Sequence, residues 1–380
     1  MTLYNFYPFI PELLLVLSTL GVFSITIFQK HATQKQTNIS RTTLIVGIIA
    51  STIVLAIQSY ELVTISVIFK LYFVIASLFF IMIYSKKFPI AECLSILGLT
   101  LGAFLIFSFN SSIIIFCSMV LFTASIYCFI LTRERLIFDE SIFLTSSVLM
   151  LLLIYKASPL ISLTSLIILS LAVLIKTKNK DIEALIMFFV IPMICYLLII
   201  CLGSSEKNNL CLVLKVLSFG ILIFAVLLKR HTKYGLFYIG NILLFISMGT
   251  KDSVSLSIIL MALIPFVYSQ HLTPLSILNL GIFPISPSFI AKYIFASILI
   301  KAGAWTESLI LLGTSLAFWI FGAKDLANNF ETWNSNRLQP NTRPWILTSV
   351  SLLAIVVTAI FFNSFQNVLK ISMDAILRTI

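Results

Sequence analysis

The sequence GIFPISPSFIAKYIF, Gly281–Phe295, carries the features that decide how this chain is built. It lies inside a long apolar run, Pro274–Ile300, which two prolines, Pro284 and Pro287, interrupt. Each proline removes a backbone donor and frees a carbonyl, so a helix must kink or break there. In a bilayer, such freed groups and a buried charge such as Lys292 are tolerated only against protein or a water-filled cavity. The pattern predicts a broken transmembrane helix beside a buried cation, which is typical of ion pathways; the alternative is a simple kink with the lysine reaching the interface.

The composition indicates a membrane protein throughout. Of 380 residues, 60% are hydrophobic and only 10% are charged, and the mean hydropathy is +1.10. A soluble chain of this size is about 25% charged. We therefore expect an all-α polytopic membrane protein, with residues 1–380 forming a single transmembrane domain. The net charge of +11 is attributed to loop lysines and arginines on one membrane side rather than to nucleic-acid binding.

Runs of about 20 apolar residues, the length that crosses a bilayer, predict about fourteen helices. We place them at 8–28, 42–60, 63–85, 90–109, 111–132, 139–155, 158–175, 183–203, 208–228, 234–249, 254–270, 274–300, 303–323 and 344–363. A polar loop, residues 324–343, is expected before the last helix. The tail, residues 364–380, has apolar residues at helical spacing and is expected to lie in the membrane interface.

The distribution of basic residues supports this count. Connections after odd-numbered segments hold 16 of the 25 lysines and arginines, and the other connections with the tail hold 6. The remaining three, Lys70, Lys215 and Lys292, lie inside segments. The positive-inside rule then places the odd-numbered loops on the cytoplasmic or matrix side and both termini opposite. Lys70 and Lys215 are interpreted as lysines that reach the interface, and Glu92 as a residue that favours a helix N-terminus.

Motifs for soluble chemistry are missing from the sequence. It contains no GxxxxGK[ST], GxGxxG, HExxH or GxSxG pattern. The six cysteines form no CxxC pair, and the three histidines lie far apart. We therefore expect no nucleotide, redox, metal or haem site on this chain.

Several stretches resemble one family, the antiporter-like membrane subunits of respiratory complex I (NADH:ubiquinone oxidoreductase) called subunit 2, or subunit N in bacteria. The strongest likeness is Leu280–Phe295, against the family pattern A-G-I-P-P-x-x-G-F-x-x-K-x-x-x-F of its twelfth helix. Further similar stretches are Phe9–Gly21, Ile68–Tyr84, Ala91–Asn110, Leu227–Gly249 and Gly303–Gly322. The resemblance implies a fourteen-helix antiporter-like fold with broken helices, of a divergent mitochondrial type.

The same resemblance implies a function as part of an enzyme. The chain would contribute to proton translocation in the membrane arm while electrons pass from NADH to ubiquinone elsewhere, so FMN, iron–sulfur clusters and ubiquinone belong to other parts of the complex. Lys292 is the expected proton-relay residue. The implied partners are other membrane-arm subunits and membrane lipids, with cardiolipin as a candidate. The first residues do not show the pattern of a cleavable signal or transit peptide. The expected location is the mitochondrial inner membrane, with both termini on the intermembrane-space side.

Two departures from the family pattern leave the mechanism open. The glutamate of the family's fifth helix aligns with Val120, and the motif after its helix-seven lysine is absent. Lys176 is either that lysine or a surface charge, and the surface interpretation is preferred. The alternatives are a structural spacer of the membrane arm with no pumping role and a stand-alone cation/proton antiporter.

Overall fold

The computed structural model describes most of the chain as helix, and no strand occurs among the residues it describes. These are residues 9–27, 34–61, 65–84, 90–109, 112–133, 159–176, 180–202, 207–228, 232–268, 286–335, 353 and 356–379. The chain divides into two compact units, and the single transmembrane domain expected from the sequence stays a prediction. Unit 1 is Met1–Tyr196 and unit 2 is Leu197–Ile380.

The helices follow the apolar runs closely. They are α1 (Ile10–Ile27), α2 (Gln34–Glu61), α3 (Ile65–Tyr84), α4 (Ile90–Ser108), α5 (Ser112–Arg133), α6 (Pro159–Lys176), α7 (Lys180–Leu185), α8 (Ile191–Cys201), α9 (Lys207–Leu227), α10 (Thr232–Ser247), α11 (Lys251–Tyr268), α12 (Pro287–Lys301), α13 (Trp305–Ser335) and α14 (Phe362–Thr379). A π-helical turn, Ile186–Val190, joins α7 to α8.

This assignment confirms an all-α membrane architecture. Six helical stretches within the described part of the chain have both the length and the apolar composition of a membrane span: Asn38–Gln58, Ile90–Ser108, Ile113–Thr132, Asp181–Cys201, Lys207–Leu227 and Trp305–Lys324. The predicted segment 139–155, the first part of 274–300 and most of 344–363 lie outside the described residues.

Small residues bring the helices of unit 1 into close contact. At Gly102 of α4, an added Cβ would lie 3.0 Å from the Ser118 carbonyl oxygen and 3.1 Å from Phe122 of α5. At Gly47 of α2, it would lie 1.9 Å from the hydroxyl of Ser18 on α1. Such close approach is how helices associate in lipid, where the hydrophobic effect offers no driving force.

Aromatic rings fill the core of unit 1. Besides its neighbour Tyr72, Phe73 of α3 contacts three rings of other segments at centroid distances of 5.3–6.4 Å. Phe80 adds a second such group about two turns further along the helix. We call this set the aromatic core; its members are Phe69, Phe73, Phe80, Phe107, Phe122, Phe129, Phe188, Phe189 and Tyr196.

The π-helical turn contributes two members of the aromatic core, Phe188 and Phe189, and both are fully buried. Pro192 follows directly, and its ring has no N–H to donate to the carbonyl four residues earlier. A wider π turn relieves this conflict, and such single turns occur within otherwise α-helical segments.

In the described part of unit 2, the helices α9 to α14 pack around α10 and α11. α10 packs against α9 and α11, and α12 packs against α11 and α13. Phe245 of α10 and Phe295 of α12 meet at a centroid distance of 3.8 Å. Phe237 of α10 and Phe318 of α13 stack at the same distance. The contact between Phe245 and Phe295 holds α12, which carries Lys292, against α10.

The C-terminal part departs from the expected loop. α13 continues to Ser335, so residues 324–335 of the predicted polar loop are helical. With 31 residues, α13 is about 46 Å long, which exceeds the roughly 30 Å of a bilayer core. The tail forms α14, which packs on α11 and is tied to it by an ion pair of 2.9 Å between Lys370 and Asp252. Its expected place in the membrane interface stays a prediction.

Candidate functional site

The helix that carries Lys292, α12, begins at the second proline of the stretch. Ser286 is the N-cap of α12, with its hydroxyl accepting a hydrogen bond of 3.2 Å from the amide of Phe289. Pro287 occupies the first helical turn, where a missing N–H costs little. Pro287 therefore starts a helix instead of kinking one. Pro284, the other predicted break, lies outside the described residues.

Lys292 lies one and a half turns into α12 and is buried, with 7% of its surface exposed. At about 1.5 Å per residue, it stands about 13 Å from the end of α12 at Lys301. A lysine charge at such depth costs about 2.5–3.5 kcal/mol on insertion scales. Lys292 is buried among protein groups, which favours the buried interpretation over a side chain that extends to the interface.

The ammonium of Lys292 lies over an aromatic face. Its Nζ is 4.3 Å from the ring centroid of Phe237 on α10, a cation–π contact. Asn241, one turn further along α10, is 1% exposed and donates from its amide nitrogen to the Phe237 carbonyl at 2.8 Å. The amide oxygen of Asn241 is buried and accepts no hydrogen bond from the described residues. Ser288 adds a fully buried hydroxyl on α12.

This arrangement can hold a single positive charge away from water. The ring of Phe237 stabilises the ammonium, and Asn241 offers an acceptor on the same face of α10. A buried amine with polar groups nearby suits proton loading and release. Sequence reasoning did not find Phe237 or Asn241, because neither belongs to a local pattern with Lys292.

The remaining predicted positions lie in unit 1. Lys176 is the last residue of α6, and its side chain is outside the described part of the structure. Val120 lies half-buried on α5, with no carboxylate at its position. Glu92 lies in the first turn of α4, near the helix N-terminus where the sequence predicted it, and is 2% exposed.

Two lysines that the sequence assigned to the interface are paired with glutamates. Lys70 is 5% exposed and lies 2.6 Å from Glu12, so the prediction that it reaches the interface is wrong. Lys215 of α9 is part-buried and lies 3.1 Å from Glu307 of α13. The partners are 58 and 92 residues away along the chain, which no local pattern reveals.

The arrangement of helices is an antiporter-like membrane subunit fold, as similar solved structures show. A chain of respiratory complex I from Thermus thermophilus aligns with a TM-score of 0.71 over 94% of this chain and 99% of that chain, at 11% identity. A chain of the membrane-bound sulfane sulfur reductase, an archaeal respiratory membrane complex, aligns with a TM-score of 0.75 over 97% and 98%, at 15% identity.

A third similar chain belongs to the Mrp complex from Dietzia sp. DQ12-45-1b. It aligns with a TM-score of 0.62 over 81% of this chain and 44% of that chain, at 10% identity. At these identities the likeness establishes the fold. No protein-family model and no curated protein matches the sequence.

Proposed function

We propose that this chain is a membrane-arm subunit of a respiratory complex and contributes to proton translocation through Lys292. The observation that carries the proposal is the burial of Lys292 on α12, a helix that begins at a proline within an apolar run. The fold shared with chains of two respiratory membrane complexes supports the same class of protein.

The finer assignment is complex I, as its subunit 2 or subunit N. In that assembly, electrons pass from NADH to ubiquinone on other subunits, which hold FMN and the iron–sulfur clusters. Lys292 takes up a proton from one side and releases it to the other as its surroundings change. The sequence stretches that resemble this subunit support the assignment, and so does Lys292 at the lysine position of the twelfth-helix pattern.

The proposed location is the mitochondrial inner membrane, with the odd-numbered loops facing the matrix. The excess of lysines and arginines in those loops supports this orientation. Other membrane-arm subunits and lipids, including cardiolipin, are the proposed partners. Large apolar side chains exposed on α9 and α13, such as Val216 and Leu309, are suited to such contacts.

The test replaces Lys292 by methionine, which keeps the length of the side chain and removes its charge. We expect proton pumping coupled to NADH oxidation to fall at least about tenfold, while the assembled complex remains. The matched control is Lys301→Met, since Lys301 is exposed at the end of the same helix. That variant should stay within about twofold of wild type.

A structural spacer is the second candidate function, and the aromatic core of unit 1 favours it. Its rings pack α3 against α5 and the π-helical turn. Position 120, where the family pattern has a glutamate, is valine, so α5 offers no carboxylate there. Wild-type pumping in Lys292→Met would establish the spacer. Purification of the chain alone, with cation/proton exchange in liposomes, would instead indicate a stand-alone antiporter.

A further inference from the structure

A buried ion pair stands at one end of unit 1. Glu12 lies in the first turn of α1 and is 4% exposed, and Lys70 lies in the second turn of α3. Their side chains meet at 2.6 Å. Ser108, the last residue of α4, also donates its hydroxyl to Glu12. Three helices that are distant in sequence therefore place an acid, a base and a hydroxyl together.

The two oxygens of Glu12 have different surroundings. Lys70 and Ser108 both donate to Oε1. Oε2 is buried and receives no hydrogen bond from any residue that the structure describes. A buried carboxylate oxygen without a donor is costly, and protonation at that atom relieves the cost. Oε2 is thus the atom of this cluster at which a proton can bind.

Lys70 is held independently of the carboxylate. Its Nζ lies 5.8 Å from the ring centroid of Phe104 on α4, within the range of a cation–π contact. A buried ion pair of this kind is weak support for stability, because desolvation of both charges opposes their attraction. Stabilising the packing of the three helices is therefore a weak explanation for this cluster.

Among the side chains that the structure describes, Lys70 is the charged group that lies against Glu12. α1 packs against α2 and α4. The charged side chains described on these two helices are Arg41 and Glu92, which lie toward their other ends. Ser108 and Glu92 are about 24 Å apart along α4. On α2, Ser51 is the residue beside the start of α1, since its hydroxyl donates to the Pro11 carbonyl at 3.2 Å.

We propose that Glu12, Lys70 and Ser108 form a second proton-exchange site, in which Glu12 Oε2 binds the proton. A proton from water forms an O–H bond at Oε2 and leaves a neutral carboxyl. The neutral carboxyl attracts the Lys70 ammonium less, and an N–H bond at Nζ then breaks to release a proton to water. Both groups end neutral, and the reverse steps restore the ion pair. This site goes beyond the proposed function, because its chemistry involves neither Lys292 nor electron transfer.

The test is infrared difference spectroscopy on the purified full chain in lipid nanodiscs, recorded while the pH is stepped. We expect a carbonyl-stretch band of a protonated carboxyl that is lost in Glu12→Gln. The matched control is Asp252→Asn, which removes a carboxylate from an exposed ion pair with Lys370. That control should keep the Glu12 band at full intensity.

A second pair of variants covers the case in which Glu12→Gln does not fold. Ser108→Ala deletes one hydrogen bond to the carboxyl and should shift the frequency of the Glu12 band, whereas Ser108→Thr keeps the hydroxyl and the frequency. Absence of a Glu12-dependent band at every pH, or a band that Ser108→Ala leaves unmoved, overturns the proposal. The pair would then be structural, and the swap of Glu12→Lys with Lys70→Glu should restore stability.

Discussion

Lys292 owes its stabilisation in part to a neighbour that the sequence does not point to. The Phe237 ring lies under its ammonium and also stacks on Phe318 at 3.8 Å. Where water is excluded, a cation–π contact stabilises the cation by about 2 kcal/mol or more. The same ring therefore positions the charge and joins α10 to α13.

Replacing Phe237 by leucine should lower the free energy of unfolding by about 2 kcal/mol, because both ring contacts disappear. Reversible unfolding in mixed micelles measures this change. Phe224→Leu, at an exposed position of α9, is the control and should change it by less than about 0.5 kcal/mol. Combining Phe237→Leu with Lys292→Met should reveal a coupling of about 1–2 kcal/mol; strict additivity would contradict the cation–π contact.

The sequence and the structure agree at residues whose signal is local. Lys292 was found because an apolar run and two prolines surround it within a few positions. The pairing of Lys70 was missed because its partner, Glu12, lies 58 residues earlier and meets it only after three helices pack. A single lysine near a helix end looks the same in sequence whether it reaches the interface or pairs inside.

At the scale of helices, α12 depends on how it begins. The Ser286 hydroxyl satisfies one of the amides that a helix start leaves open, and Pro287 pre-sets the backbone for the first turn. Proline patterns in the sequence predicted a break at this point. The cap itself identifies which proline starts the helix.

Ser286→Ala should destabilise the start of α12 by about 1 kcal/mol, since it removes the capping bond to Phe289. Hydrogen exchange of the amides at 288–291 should become faster by about fivefold, while exchange in α9 stays unchanged. Ser286→Asn retains a capping oxygen and should preserve the wild-type rates. Equal rates in the alanine variant would show that the cap contributes nothing.

Helix contact also depends on glycine where backbones approach. Gly102 faces the Ser118 carbonyl and the Phe122 backbone, neither of which can move away easily. Gly220 of α9 has nothing within 4 Å of an added Cβ. Although both are helical glycines in apolar sequence, only the first is required by packing.

Gly102→Val should therefore reduce stability by about 1–3 kcal/mol through overpacking between α4 and α5. Gly220→Val should be neutral or slightly stabilising, because helix propensity improves and no contact is disturbed. The yield of folded chain after detergent extraction and the thermal unfolding midpoint measure both variants. Similar losses at the two glycines would argue against close contact at Gly102.

For the whole molecule, apolar length predicted most helix positions to within a few residues. The grouping of helices into two compact units depends on which helices contact each other and not on the hydropathy of any one helix. The length of α13 was missed. Its second half, Lys324–Ser335, is polar, and polarity alone suggested a loop.

The topology gives a prediction at this scale. In a background with the six native cysteines changed to serine, Lys301→Cys and Lys324→Cys should react with a membrane-impermeant maleimide from opposite sides. Both positions are exposed, at the end of α12 and near the middle of α13 respectively. Labelling of both from one side would contradict the alternation that the basic loops predict.

The depth of Lys292 has an electrical consequence. The residue stands about 13 Å from one end of α12, a little under half of a bilayer core about 30 Å thick. Moving one elementary charge across the whole membrane changes its energy by about 2.3 kcal/mol for each 100 mV of membrane potential. In the proposed relay, moving a proton between Lys292 and that end would change its energy by about 1 kcal/mol per 100 mV, so the proton occupancy of this lysine would depend on voltage.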